Sequence, residues 1–264
     1  MNAIQLSTED LLLASLLVLV NGGLSMALGL RVHRSLLVAA LRMVVQLLLV
    51  GLALRYILEW KSALATSLVV LVMIAAAARE VAVRPARRLR GWQSYGISGA
   101  MVSATSLLTV LLALLTAIRP EPWYDPRYAI PLMGIVLGSI LNSASLTLDV
   151  FFNSVYNFRS VIDSRLALGE ARFVALRRYI MAAVRSGLMP NINQMSAAGI
   201  ITLPGIMTGQ ILAGMDAVSA AKYQILLMFI LAGASGLAAI GCACLAAWLV
   251  TDERHRLRIE RLRA

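Results

Sequence analysis

The sequence is poor in charged residues, and acidic residues are the scarcest of them. Only 14% of the residues are charged, whereas soluble globular proteins carry about 25%. Sixty per cent are apolar and the mean hydropathy is +0.81. Several apolar runs approach the roughly 20 residues that cross a bilayer as a helix. We therefore expect an all-α, multi-pass protein of the inner (plasma) membrane, because helices satisfy their own backbone hydrogen bonds in lipid.

The sequence also lacks the motifs of common catalytic and metal sites. It contains no G-x-x-x-x-G-K-[ST] phosphate loop, no H-E-x-x-H pair and no Cys/His cluster with zinc spacing. Cys242 and Cys244, the two cysteines, would point about 200° apart on a helix, so they suit neither a shared metal nor a disulfide. We expect a non-catalytic chain with no cofactor of its own. Active transport would then draw its energy from a separate nucleotidase subunit or from an ion gradient.

The positive charge is unevenly distributed along the chain. Hydropathy predicts about seven transmembrane helices, near residues 9–30, 36–57, 62–79, 97–118, 129–149, 190–214 and 222–250. Of the 24 Lys and Arg residues, 18 fall in one alternating set of connections and 5 in the other. By the positive-inside rule, this bias puts the N-terminus outside and the C-terminus in the cytosol. It explains the net charge of +11 without a nucleic-acid partner, and we interpret residues 1–264 as one transmembrane domain.

The cytosolic connection at about 155–189 is basic and amphipathic. Apolar residues recur in it at roughly helical spacing, namely Leu166, Phe173, Val174, Leu176, Ile180, Ala183 and Val184. We expect an amphipathic cytosolic helix whose apolar side is covered by the protein's own core, by the membrane surface or by a partner subunit. The C-terminal tail from Thr251 is predicted to be a charged helix end, either solvated or touching anionic headgroups.

Polar residues within the predicted spans are few. Four of them recur in the fifth span at steps of three and four, on one helical face that must look inward: Ser139, Asn142, Ser145 and Asp149. That face either forms interhelical hydrogen bonds or lines a translocation pathway, with Asp149 as a cation contact at the cytosolic entry. Arg42 and Gln46 lie one turn apart in the second span and admit the same two interpretations.

The sixth predicted span contains a proline. Pro204 should break its helix and free backbone carbonyls for neighbouring helices, water or a substrate. Gly205 and Gly209 form a small-residue pair of the kind that lets helices approach closely.

Several motifs resemble a known family of transporters. The run SRLALGEARFVALRRYIMAAVRSGLMPNI resembles the cytoplasmic coupling loop of ABC-transporter permeases, in which a short helix ending in Leu-Gly docks into a cleft of the ATPase subunit. Other motifs are similar to those of the Fet-type permeases, a family of bacterial iron-export permeases similar to plant aluminium-tolerance proteins. These motifs are Arg42-x-x-x-Gln46-Leu47, Ile130-Pro131 with Gly134 and Gly138, Leu168-Gly169, Leu203-Pro204-Gly205-Ile206-Met207-x-Gly209 and Lys222-Tyr223-Gln224-Ile225.

The resemblance implies a permease homodimer that exports iron or another metal ion, together with two copies of a separate ABC ATPase that binds ATP and Mg²⁺. Coupling to that ATPase is expected at Leu166, Leu168, Gly169, Glu170, Phe173, Arg177 and Arg178. The expected translocation pathway comprises Arg42, Gln46, Ser139, Asn142, Ser145, Asp149, Pro204, Gly205, Met207 and Gly209. The spans lack the His, Cys and carboxylate cluster typical of iron sites, so the residues themselves leave the metal unknown. An ATPase-independent secondary carrier or channel is the alternative.

Overall fold

The structure, a computed structural model, describes residues 8–30, 32–60, 62–252, 254 and 256–263. Of the described residues, 82% are helical, which confirms the expected all-α membrane bundle. The helices within the described residues are α1 Thr8–Ala27, α2 His33–Trp60, α3 Ala63–Val83, α4 Trp92–Leu112, α5 Pro126–Asn157, α6 Arg159–Ala167, α7 Arg172–Ala197, α8 Gly205–Leu212 and α9 Ala217–Leu249. Shorter elements are strand β1 Arg88–Leu89, the π-helical turn Ala113–Ile118 that extends α4, the 3₁₀ turn Ile259–Arg261 and strand β2 Leu262–Arg263.

The chain divides into two compact units, Met1–Trp60 and Lys61–Ala264. In the first unit, α1 and α2 pack against each other and leave most of their leucines and valines exposed. Such an apolar exterior suits a helix pair that faces lipid. In the second unit, α5 packs against α3, α4, α7 and α9. The interpretation of the whole chain as one membrane domain stays a prediction.

Six helices of the described residues are long and apolar enough to cross a bilayer: α1, α2, α3, α4 with its π-helical extension, α5 and α9. They correspond to six of the seven predicted spans. The predicted span 190–214 is not one helix, because α7 ends at Ala197 and α8 begins at Gly205. Gly199 has a φ of +87° in the gap between them, and Pro204 stands in an extended conformation directly before α8. The total of seven crossings and the location of the termini stay predictions.

Helix α5 forms the centre of the larger unit. The Asp125 side chain accepts a hydrogen bond from the N–H of Arg127 (2.9 Å) and Pro126 occupies the first turn, so the start of the helix is well defined. Large apolar side chains on α5 are fully or almost fully buried, including Phe151 and Phe152. They pack in the core shared by α5, α7 and α9.

Small residues allow α7 and α9 to lie close to their neighbours. On α9, residues at steps of four have no accessible surface: Ala234, Ala238, Cys242 and Ala246. Helix α7 runs antiparallel to α5, since Gly187 faces Ser143 and Thr147 whereas Asn191, one turn later, contacts Ser139. Because Gly187 has no side chain, the α7 backbone can approach the α5 backbone directly.

The prediction that the C-terminal tail continues as a helix is wrong. Helix α9 ends at Leu249, and the chain turns back so that β2 pairs antiparallel with β1. The Asp252 carboxylate causes this turn, because it accepts hydrogen bonds from the backbone N–H (2.8 Å) and the Nε (2.9 Å) of Arg256 and from the Nε of Arg258 (3.2 Å). These three hydrogen bonds to one side chain compete with helix continuation.

The predicted cytosolic loop at about 155–189 is almost entirely helical. It contains the last turn of α5, all of α6 and the first two-thirds of α7, with one tight turn at residues 168–171. The expected amphipathic helix is thus divided into two helices that meet at that turn.

Candidate functional site

The turn between α6 and α7 is fixed by a glycine and an ion pair. Gly169 has a φ of +90°, a left-handed conformation that favours glycine. Glu170 lies 2.8 Å from the guanidinium of Arg165, which links the two ends of the turn. Leu168 stands at the tip with 85% of its surface exposed. We call residues 165–178 the α6–α7 corner.

The α6–α7 corner has an inner and an outer side. Leu166, Ala175, Leu176 and Tyr179 are buried in the protein's own core. Phe173 and Val174 are about half exposed, and Arg165, Val174, Arg177, Arg178 and Met181 line a shallow depression of about 360 Å³. Of the predicted coupling residues, the outer side therefore presents Leu168, Gly169, Phe173, Arg177 and Arg178, with Glu170 at its edge. Leu166 is directed into the core instead.

Aromatic contacts restrain Arg178 of this corner. The rings of Phe158 and Tyr179 stack with their centroids 5.6 Å apart. The guanidinium of Arg178 lies 5.6 Å from the Phe158 ring centroid and 4.5 Å from that of Tyr179, and it also donates a hydrogen bond to the Tyr179 hydroxyl. The outer side thus offers exposed apolar groups beside a positioned positive charge.

A hydroxyl and amide junction joins α5, α7 and α9. Ser139 Oγ lies 2.7 Å from Ser235 Oγ and donates a hydrogen bond to Asn191 Oδ1 (3.2 Å). The Asn191 amide in turn donates to Ser143 Oγ (3.4 Å). Ser139 is therefore satisfied by neighbouring helices, as the structural interpretation of the polar face requires. Sequence reasoning missed Ser143, Asn191 and Ser235, although Ser143 follows Ser139 by one helical turn.

The other three residues of the predicted polar face line an open depression. This polar groove, of about 500 Å³, is bounded by Arg84, Asn142, Ser145, Leu146, Asp149 and Pro190. Arg84 Nη1 donates to Asn142 Oδ1 (3.2 Å), and Asp149 Oδ1 accepts from the backbone N–H of Ala86 (2.8 Å). Ser145 Oγ is buried without a hydrogen-bond partner among the described residues. Sequence reasoning missed Arg84, because the positive-inside rule treats it only as one of the 18 charges of the cytosolic connections.

The interrupted segment after α7 holds the remaining predicted pathway residues of the second unit. Pro204 precedes α8, and Gly205, Met207 and Gly209 lie on it. The Pro204 carbonyl accepts hydrogen bonds from the Thr208 N–H (3.0 Å) and from its hydroxyl (3.2 Å), so this carbonyl is not left free. None of these four residues lines the polar groove among the residues described.

Arg42 and Gln46 belong to α2 in the first unit, where both are exposed. Among the described residues, no group of three or more His, Cys, Asp or Glu side chains could together hold a metal ion. The polar groove instead gathers a carboxylate, an amide, a hydroxyl and a guanidinium.

The chain matches the sequence profile of an uncharacterised protein family, UPF0014, over residues 8–249. It belongs to the UPF0014 family. The relatives of this UPF0014 chain include the UPF0014 membrane protein slr1647 of Synechocystis, which is 36% identical over 77% of the chain and 78% of the relative. The probable iron export permease protein FetB of Escherichia coli is 29% identical and covers 100% of the chain and 99% of its own length.

A plant relative is also found. The protein Aluminum sensitive 3 of Arabidopsis thaliana is 26% identical over 82% of this UPF0014 chain and 77% of its own length. The resemblance to the family of bacterial iron-export and plant aluminium-related permeases is thereby confirmed. No solved structure matches the chain. Of these relatives, one is named as a membrane protein and another as a probable permease. Together with the six apolar spans of the described residues, this shows that the chain is a multi-pass membrane protein.

Proposed function

We propose that this chain is the permease subunit of an ABC exporter, that it works as a homodimer with a separate ATPase, and that it exports iron or another metal ion. The outer side of the α6–α7 corner carries this proposal. An 85% exposed leucine at the tip, flanked by a half-exposed phenylalanine and two arginines, is what a soluble partner would bind. The full-length similarity to FetB, a probable iron export permease, supports the same function.

The mechanism follows from the continuity of α7. Closure of the ATPase dimer around ATP would push on Leu168 and Phe173, and α7 would carry the displacement along α5 toward the interrupted segment at 198–204. The junction of Ser139, Asn191 and Ser235 would hold the three helices together during this movement.

The polar groove is the proposed path of the cargo. Asp149 supplies a negative charge, and Asn142 and Ser145 supply oxygen ligands of the kind that bind hard cations. Asn142 and Arg84 are exposed, and polar groups left in contact with lipid are costly. A second copy of the chain facing the groove would cover them and would enclose the path between two permeases.

Partner binding tests the proposal directly. We expect Leu168→Asp and Phe173→Asp each to weaken binding of the cell's stand-alone ABC ATPase by about 30-fold, as for a hot-spot residue. The matched control is Val161→Asp, the same change at a 44% exposed residue of α6 outside the α6–α7 corner, which should leave binding unchanged. Size-exclusion co-elution and ATP hydrolysis in proteoliposomes are the measurements.

The outcomes separate the alternatives. Unchanged partner binding in both corner variants would refute docking at the α6–α7 corner. Transport of Fe²⁺ by the chain alone under an ion gradient, without the ATPase, would overturn the exporter assignment in favour of a secondary carrier or channel. ATP-driven vesicles that move no Fe²⁺, Mn²⁺ or Zn²⁺ would exclude the metal cargo while leaving the coupling intact.

A further inference from the structure

A second basic cavity lies away from the polar groove and from the α6–α7 corner. It has a volume of about 760 Å³ and lies where β1 and the start of α4 meet β2 of the C-terminal tail. Its charged lining consists of Arg88, Arg90 and Arg263, and its aromatic lining of Trp92 and Tyr95. We call it the arginine–tryptophan pocket.

The strand pairing concentrates positive charge in this pocket. Arg88 and Arg263 are directly opposite each other in the antiparallel β1–β2 register, and the Arg90 N–H donates to the Arg261 carbonyl (2.7 Å). Like charges opposite each other destabilise a strand pair. Among the described residues, the lining includes no carboxylate and these three arginines form no ion pair. A bound anion would remove this repulsion.

The aromatic lining indicates that the anionic group belongs to a lipid. Trp92 is 89% exposed and Tyr95 is 47% exposed, and they stand on either side of Ser94, where the apolar span Ser94–Ile118 begins. Tryptophan and tyrosine concentrate at the level of lipid headgroups. The pocket thus combines guanidinium donors with aromatic side chains at the end of a span that the charge bias assigns to the cytosol.

We propose that the arginine–tryptophan pocket binds the phosphate group of an anionic phospholipid. Guanidinium groups bind phosphate oxygens with paired hydrogen bonds, and basic pockets at the ends of transmembrane helices suit acidic headgroups. Arg88 and Arg90 belong to the connection between α3 and α4, whereas Arg263 belongs to β2 of the tail. One headgroup that binds all three arginines would therefore stabilise the packing of the tail against the larger unit. The lining of this site shares no residue with that of the polar groove or of the depression at the α6–α7 corner.

Binding is measured by titrating the delipidated full chain in neutral detergent with dioctanoyl phosphatidylglycerol and counting bound lipid by native mass spectrometry. We expect the Arg88→Gln/Arg263→Gln double variant to bind about 25-fold more weakly, because each arginine should contribute roughly fivefold. Trp92→Ala should weaken binding without changing the net charge. Arg79→Gln, the same change at an exposed arginine of α3 outside the pocket, is the matched control and should bind as the unaltered chain does.

Measurements on the unaltered chain give a test that needs no variant. Phosphatidylglycerol should bind and dioctanoyl phosphatidylcholine should not, and inorganic phosphate at millimolar concentration should leave the lipid bound. Equal binding of the two lipids, or an unchanged affinity in the double variant, would overturn the proposal. Displacement of the lipid by inorganic phosphate would equally overturn it, because the pocket would then be a soluble-phosphate site.

Discussion

Gly187 is the residue at which the smallest change should have a large structural effect. A Cβ added there would lie 2.7 Å from the Ser143 carbonyl oxygen and 3.2 Å from Thr147 Cβ, and it would also clash with the Thr147 hydroxyl. Ser143 contributes a backbone atom, so the clash is not relieved by turning a side chain. The helices α5 and α7 would have to separate.

Overpacking usually costs about 1–3 kcal/mol, and alanine ordinarily gains about 1 kcal/mol over glycine in a helix. Because the clash involves a backbone atom, we expect the cost to exceed the gain and Gly187→Ala to lower the free energy of unfolding by up to about 2 kcal/mol. Thermal denaturation in detergent is the measurement. Gly138→Ala in α5 is the control, because a Cβ at Gly138 meets nothing within 4 Å; equal melting temperatures of the two variants would contradict the close α5–α7 contact.

Individual contacts of this kind are hard to predict from sequence. The polar face of the fifth span was visible as a helical spacing, and the Leu168-Gly169 turn was visible as a motif. By contrast, the partners Arg84, Asn191 and Ser235 come from three other helices or helix ends. Their meeting depends on the register between helices, which periodicity within one helix does not specify. Leu166 fits the apolar stripe in the same way as Phe173, yet only one of them faces the core.

At the scale of an element, the C-terminal tail depends on a single carboxylate. The pKa of Asp252 is lowered to about 2, chiefly by the hydrogen bond from the Arg256 backbone N–H. Burial raises this pKa, whereas the guanidinium groups of Arg256 and Arg258 lower it further. Since the folded pKa is below the ordinary value of 3.8, ionised Asp252 stabilises the tail above that value. This contribution is lost as the pH falls through about 2.

We expect Asp252→Asn to weaken the protection of the tail against hydrogen exchange at neutral pH. Acid should weaken this protection in the unaltered chain, because it protonates Asp252. Hydrogen exchange of the Arg258 amide, which bonds to the Val250 carbonyl (2.8 Å), is the measurement after correction for the intrinsic rate. Glu260→Gln is the control, because Glu260 is 63% exposed and forms a single ion pair, with Arg258 (3.2 Å), among the described residues. A tail equally protected in Asp252→Asn and the unaltered chain would refute the role of this carboxylate.

Elements differed in how well the sequence predicted them. Long apolar runs specify membrane helices by length alone, and six such helices are present among the described residues. The tail was predicted to be helical because charges at a helix end are common, whereas its strand pairing with Arg88–Leu89 joins residues far apart in the chain. The predicted span 190–214 failed as one helix because apolar composition does not reveal that the chain leaves helical geometry seven residues before Gly205.

For the whole molecule, the decisive quantity is the number of crossings. Helix α7 lies antiparallel to α5, so α7, the gap and α8 together can bring the chain across once more although no single helix does. With the arginine bias of 18 against 5, we expect the N-terminus outside and the C-terminus in the cytosol. Residues 1–7 lie outside the described residues.

Paired fusions measure this arrangement. A fluorescent protein that folds only in the cytosol should be bright at the C-terminus and dark at the N-terminus, and alkaline phosphatase should give the reverse. Activity of the same reporter at both ends would mean an even number of crossings, which would place α7 and α8 on one side of the bilayer.

The contact between Gly187 and α5 also sets the mechanics of α7. The helix extends about 22 Å from Arg172 to this contact and about 15 Å beyond it to Ala197, at 1.5 Å per residue. If α7 pivots as a rigid rod about this contact, its two ends move in opposite directions. Inward displacement of Arg172 would then move Ala197 outward by about two-thirds as much, in proportion to the two lengths. The non-helical residues 198–204 would then take up this movement by changes in their backbone torsion angles. The position of Gly187 along α7 would thus set the ratio between the displacements of the two ends of the helix.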